Sequence, residues 1–311
     1  MDECIINTLS YFDVFDYPLT FSEIKKYLCC PQEQSDGELH DLIQSISVIQ
    51  EQDGFFYFLG RSEIVEKRIE RNERSFQKYA KAKIIGKILS AIPTVEFIGV
   101  SGSLSMNNAT ENDDIDLFIV TRKNSLWTTR FIVNILLFVL RQKRGRLQKN
   151  VKDKICPNMF MQVDNLAFKK KRRTLYTAHE LVQLKMLFNR NKTHQLLFTK
   201  NSWIYEFFPN IEVGEKVLRK SSLRSNIMQK MLFPFEKTAF FAQKAYMQAH
   251  RKRETISQKS AFFHPLDRQT LILDMYEMRF KRYKKMYEDN IWVDSDEARF
   301  YGNEKKIRIL N

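Results

Sequence analysis

Apolar residues recur with helical spacing over residues 3–12, 20–29 and 35–46, which predicts three short helices. Thr20 or Ser22 suits the N-cap of the second, and Ser35 or Asp36 that of the third, because their side-chain oxygens accept the free N–H groups of a first turn. Between Ser47 and Gly60 the pattern switches to two strand-like runs around Asp53-Gly54, a pair that favours a tight hairpin turn. Three helices followed by a hairpin predict a winged-helix-like module at 1–60. Residues 62–91 return to charged amphipathic spacing, with Gly86 inside and Pro93 just beyond. A connecting helix is therefore expected over 61–91.

From Val95 the pattern reads strand, polar stretch, strand: VEFIGVSGS, then LSMNNATENDD, then IDLFIVT. Ser125–Arg141 predicts a helix and Ile155–Val163 a further strand. The pattern from Thr174 onward is mostly helical, so a helical C-terminal region is expected over 174–311, after a core over 92–173. The longest apolar run, Phe131–Leu140, is broken by Asn134 and falls short of the roughly 20 residues a spanning helix needs. It predicts a buried helix and no membrane segment. The acidic start, MDECIINTLSYFD, lacks the basic lead of a secretory signal, and a cytoplasmic location is expected.

Charge changes this picture by its distribution. The net charge is −9 over residues 1–116, +16 over 117–200 and +7 over 201–311. A stretch as basic as 117–200 attracts polyphosphates, nucleic acid or an acidic protein surface. The third helix, in contrast, carries Asp36, Glu38 and Asp41 with no Lys or Arg, which argues against the DNA contact a winged helix makes there. The four cysteines have no paired spacing, and the five histidines no HxxxH or HExxH spacing, so reduced thiols and no zinc site are expected.

Chemistry enters at residues 102–116. Glycine permits close backbone approach to a triphosphate, and carboxylates two apart on a strand point to one face, where both can hold a divalent cation. Gly102-Ser103 and Asp114-x-Asp116 supply these two parts at opposite ends of one loop, with Ile115 directed to the core. Glu111 and Asp113 read as loop acids.

The stretch VSGSLSMNNATENDDIDLF resembles the signature of the DNA polymerase beta-like nucleotidyltransferase superfamily: a glycine and serine after an apolar strand, a spacer, here Leu104 to Asp113, and an alternating acid motif. YFDVFDYPLT, DKICPNMFM and LYTAHELVQ also resemble segments of predicted bacterial nucleotidyltransferase-like proteins. The resemblance implies that Gly102 and Ser103 bind the nucleoside triphosphate, and that Asp114 and Asp116 bind Mg²⁺, with Mn²⁺ as the alternative ion. It also implies a third catalytic acid on a later strand. The matching strand, ICPNMFMQVD, has Asn158 and Gln162 at inward positions, and its first carboxylate is Asp164. Asp164 is the candidate, with an acid from elsewhere, or none, as the alternatives.

Pattern and resemblance together imply an α+β chain. It comprises a mixed-sheet nucleotidyltransferase fold, an N-terminal winged-helix-like module and a helical C-terminal region. The implied reaction moves a nucleoside monophosphate from an NTP to an acceptor hydroxyl with release of pyrophosphate. A nucleic acid end, a protein hydroxyl, a small metabolite and an antibiotic are all open as acceptor, and 117–200 is the candidate surface for a nucleic acid or protein. The alternatives are a catalytically degenerate nucleotide- or RNA-binding protein and a winged-helix DNA-binding regulator.

Overall fold

The computed structural model describes residues 1–145, 150–212, 223–248, 255–263 and 266–289. Parts of the expected C-terminal region, and residues 146–149 of the basic stretch, lie outside the described residues. Two compact units divide the chain: Met1–Glu70 with Tyr205–Glu212 and Thr270–Asn311, and Arg71–Ile204 with Val213–Gln269.

In the first unit α1 (Asp2–Asp13), β1 (Leu19–Thr20), α2 (Phe21–Tyr27), α3 (Asp36–Ser45), β2 (Ile49–Gln52) and β3 (Phe55–Phe58) precede the start of α4 (Glu63–Ser90). Thr20 and Ser35 each close a capping box, with Glu23 and Glu38 as the reciprocal partners, satisfying two otherwise free backbone donors per helix. Asp53 and Gly54 both take positive φ, 55° and 77°, as a two-residue hairpin turn requires. β1 and β2 flank β3 in an antiparallel three-stranded sheet. Ile5, Ile6, Leu9 and Phe12 of α1 are fully or almost fully buried.

The second unit is a mixed α/β arrangement. It holds the rest of α4, then β4 (Val95–Val100), β5 (Ile115–Thr121), α5 (Leu126–Val139), β6 (Ile155–Gln162), α6 (Leu175–Val182) and β7 (Lys185–Asn189). α7 (Thr193–Thr199), α8 (Leu223–Gln248), β8 (Thr255–Ile256) and β9 (Ser260–Phe262) follow. The sheet order is β7-β4-β5-β6-β9-β8, with β5 and β6 parallel and the other pairs antiparallel. Ile115, Leu117 and Ile119 of β5 join Ile85 and Leu89 of α4, Val133 and Leu137 of α5 and Phe240 of α8 in one core. Asp116, Phe118 and Val120 alternate onto the opposite face, where Phe118 meets Phe97, and Phe97 stacks on His194 of α7. Gly86, inside α4, lets that helix approach Leu187 of β7: an added Cβ would lie 3.0 Å from its Cδ1.

Several expectations change. The stretch from Thr174 on contains β7, β8 and β9, of which β8 and β9, two and three residues long, are too short to display a period of two. It does not form a region of its own, because α8 belongs to the second unit while α9 (Leu266–Glu288) passes into the first from Thr270. Helix α5 is not buried all round. Phe131, Phe138 and Val139 are exposed, since only the stripe through Val133 and Leu137 faces the sheet. Among the described residues no helix is long and apolar enough to cross a membrane.

In the first unit α9 is held by Tyr283 stacked on Phe58, by Tyr276 donating to Asn7 Oδ1, and by Arg279 paired with Asp13. Buried Arg61 pairs with the same Asp13, at 3.3 Å, and with Asp16. Both acids of YFDVFDYPLT thus neutralise arginines. Without Arg61, Asp13 keeps Arg279 and Asp16 keeps Lys67, so the cost is that of lost charge-assisted hydrogen bonds. Arg61→Met should destabilise this unit by about 1–3 kcal/mol, read as a lower midpoint in chemical denaturation. An unchanged midpoint would contradict the network's role.

Candidate active site

The β4–β5 ladder continues one residue past Val100, where Ser101 N donates to Asp116 O at 3.0 Å. Gly102 then takes φ 67° and ψ −155°, a region open in practice only to glycine. It starts a 3-10 turn, Ser103–Met106. Its carbonyl accepts from Ser105 N and Ser105 Oγ. An added Cβ would fall 2.8 Å from Asp116 Oδ2. The glycine therefore leaves room for the carboxylate as well as making the turn.

The rest of the loop is cross-tied. Ser103 Oγ donates to Asp113 Oδ2 at 3.0 Å, and Asp113 also accepts from Thr110 N and Oγ1. Buried Lys78 of α4 donates to Glu111 O, Asp113 O and Asp153 Oδ1 at 3.0, 2.8 and 2.6 Å. In sequence Lys78 is one of many charges on the amphipathic helix expected over 61–91. Its three contacts fix the strand entrance that carries Asp114.

Asp114 and Asp116 bracket Ile115, which is fully buried in the core, so the two carboxylates share one side of the strand. β6 brings Cys156 into register with Asp116. Donor atoms of Asp114, Asp116 and Cys156 lie within 4.8 Å of one another. Arg144 Nη1 donates to Asp114 Oδ2 at 2.7 Å. Burial first, then the neighbouring Asp114, push the Asp116 carboxyl up to about 7, against the pull of Arg268 and Arg144. Burial and the same two carboxylates push the Cys156 thiol well above its ordinary range. Ser101 is 1% exposed and its Oγ finds no hydrogen-bond partner among the described residues. Its pairing with Asp116 sets both side chains on one face.

These residues fit a divalent cation. Two carboxylates and a thiol converge, an unsatisfied buried hydroxyl adjoins them, and the carboxyl that resists ionisation is the one an added positive charge would relieve.

Asp164 is not brought to this site. β5 and β6 run parallel, so the Asp116–Cys156 pair stands at the start of both strands and Asp164 beyond the end of β6. The strand from Cys156 to Gln162 alone rises about 20 Å. Asp164 instead pairs with Lys259 at 3.0 Å. Asn158 is the extra residue of a bulge, since Leu117 pairs with Pro157 and Phe118 with Met159. Gln162 Oε1 accepts from Asn124 N at the far strand end. Sequence reasoning passed over Cys156, Arg144 and Ser101. It also passed over Tyr176 of α6, whose hydroxyl is held protonated by burial and by the charges of Glu180 and Asp116. His179 is buried and held neutral, with Gln183 at 3.2 Å from its Nδ1.

The raised Asp116 carboxyl predicts a pH-dependent stability. Between its ordinary pKa and about 7, the folded state keeps a proton that the unfolded chain has released, so stability falls as pH rises through that window. Asp116→Asn removes this loss. In metal-free buffer the variant should melt a few degrees above the wild type at pH 8, and the gap should narrow at pH 5, where only the first part of that window has been crossed. Equal melting at both values would contradict the crowding of these carboxylates.

No protein-family model matches the chain, and no curated protein matches it. Among solved structures the chain is similar to the STING-associated CdnE c-di-GMP synthase from Capnocytophaga granulosa, with 14% identity and a TM-score of 0.27 over 90% of this chain and 98% of that one. At that score the likeness carries no argument about fold or chemistry.

Proposed function

We propose that the second unit is a divalent-metal-dependent nucleotidyltransferase, in which an acceptor hydroxyl attacks the α-phosphorus of a nucleoside triphosphate and pyrophosphate leaves. The observation that carries this reading is the packing of Gly102 against Asp116. A glycine-only turn lies directly over a crowded acidic pair, so a backbone able to meet phosphate oxygens and side chains able to hold a cation face the same small space.

Asp114 and Asp116 would hold Mg²⁺ or Mn²⁺, which when bound neutralises the triphosphate and polarises the reacting phosphoryl group. The remaining work falls to the chain. The Gly102–Ser103 backbone approaches the phosphates without a side chain in the way. Ser103 acts through Asp113, keeping the loop closed. Arg144, already drawn to Asp114, and Arg268, which acts electrostatically on Asp116, supply positive charge for the leaving pyrophosphate. Asp164 has no part in this reading.

The first unit we read as a winged-helix-like module with a packing or protein-binding role. Asp36, Glu38 and Asp41 make α3 acidic, and Lys25 is already paired with Asp36 at 2.6 Å. The basic stretch 117–200 is the surface we assign to the acceptor. If that acceptor is RNA or DNA, affinity should fall steeply with salt, because each neutralised phosphate releases counterions. Absence of binding even at low salt would redirect the acceptor to a protein or small molecule.

The reading is tested by incubating the protein with each of the common nucleoside triphosphates and Mg²⁺ or Mn²⁺, scoring pyrophosphate release. Metal-dependent release with at least one nucleotide is the expected result. Tight nucleotide binding without release would favour a catalytically degenerate binding protein, for which the absence of a carboxylate at position 156 is the supporting observation.

A further inference from the structure

We propose that Cys156 supplies a third, sulfur ligand to the ion held by Asp114 and Asp116, so that the site takes Mn²⁺, Co²⁺ or Zn²⁺ in preference to Mg²⁺. The inference rests on the metal-site reading above and deepens it by naming the class of ion.

Register is the first argument. In the β5–β6 ladder Asp116 pairs with Cys156, and directly paired residues point to the same face. The bulge at Asn158 comes after this pair, so it leaves Cys156 on the acidic side. Distance is the second. The donor atoms of all three residues lie within 4.8 Å of one another. Bonds of about 2.0–2.3 Å at tetrahedral angles set donor atoms about 3.3–3.8 Å apart, so side-chain rotation of up to about 1.5 Å brings the three onto one ion.

The third argument is independent of the cluster. Ser101, just past the end of β4 and bonded through its N–H to Asp116 O, is 1% exposed, and its Oγ lacks a hydrogen-bond partner among the described residues. Buried hydroxyls are ordinarily satisfied. A hydroxyl left unsatisfied beside three potential ligands points to a bound ion or its water as the missing partner.

Charge and chemistry then choose the ion. Two carboxylates and a thiolate bring three negative charges against two on the cation, and the guanidinium of Arg144 on Asp114 offsets the excess. Mg²⁺ demands hard oxygen ligands, whereas Mn²⁺, Co²⁺ and Zn²⁺ accept mixed sulfur and oxygen sets, most readily toward the zinc end of the series. As the sulfur–metal bond forms, the thiol S–H breaks and its proton leaves to solvent. No electron transfer is involved.

The test is titration of the metal-free protein with Co²⁺ alone, read by absorbance, in wild type, Cys156→Ser and Asp116→Asn. Mg²⁺ competition for the bound Co²⁺ and thermal unfolding accompany each titration. The wild type should develop a sulfur-to-cobalt charge-transfer band that Cys156→Ser lacks. The serine variant should stay folded and lose Co²⁺ affinity by at least the about 10–100-fold that removing an outer-shell partner costs. A Cys156→Asp variant should shift the competition toward Mg²⁺. Co²⁺ binding that needs Asp116 but shows no sulfur band, with Cys156→Ser unchanged, would overturn this inference and leave the metal-site reading standing. Co²⁺ binding indifferent to Asp116 and Cys156 alike would overturn both.

Discussion

Asp114→Asn and Asp116→Asn should each lower metal-dependent nucleotidyl transfer by about a thousandfold or more while leaving the protein folded. A catalytic cation contributes several kcal/mol of transition-state stabilisation, and about 4 kcal/mol corresponds to a factor of about a thousand in rate. An amide keeps the shape of the carboxylate and removes the charge that holds the ion. The Asp116 variant is the more informative, because its carboxyl is pushed up to about 7 by burial and by Asp114. Its loss of turnover should come with a gain in metal-free stability at pH 8. A residue that only served the fold would lose both together. Initial rates with saturating nucleotide, measured beside thermal unfolding, separate the two cases. Wild-type turnover in either variant would remove these residues from the metal site.

Gly102→Val should cost nucleotide affinity far more than it costs stability. The conformation at φ 67° is strained for any L side chain and carries a penalty of about 1–3 kcal/mol. The added Cβ also meets Asp116 Oδ2 at 2.8 Å. A carboxylate can swing away from that contact at modest cost to the fold, but by swinging it leaves the position from which it holds a cation. Ser103→Ala is the matched comparison. Its hydroxyl donates to Asp113, so its loss loosens the loop by about 1 kcal/mol and should lower affinity only slightly. Calorimetric binding of a nonhydrolysable triphosphate with Mn²⁺ decides the matter. A folded Gly102→Val protein that binds normally would rule out the glycine cradle.

Local signals in the sequence carried much of the architecture. Thr20 and Ser35 cap helices because side-chain oxygen and backbone donor are near neighbours in the chain, and Asp53-Gly54 turns because both residues tolerate positive φ. The spacing of Gly102, Asp114 and Asp116 is legible for a related reason: one loop joins two adjacent strands, so its ends must meet. Strand pairing is where legibility stops. Counting along ICPNMFMQVD finds Asp164 as the first carboxylate, but only the parallel register with β5 reveals that Cys156 stands opposite Asp116 and Asp164 at the other end. The bulge after Pro157 further breaks the alternation that would put Asn158 and Gln162 at inward positions. Lys78 and Arg61 look like solvent-facing charges on helical or loop segments. Their burial depends on acids and carbonyls dozens of residues away, which no local pattern encodes. β8 and β9 are two and three residues long, too short for periodicity to register.

The central claim is the class of reaction, and the fate of isotopic label tests it most directly. The protein is incubated with metal and a triphosphate labelled at the α- or at the γ-phosphorus, and products are separated by size. Nucleotidyl transfer requires the α label to appear on the acceptor and the γ label to leave as pyrophosphate, with both events lost in Asp116→Asn. Transfer of the γ label to an acceptor, or its release as inorganic phosphate with the α label retained in diphosphate, would contradict the account.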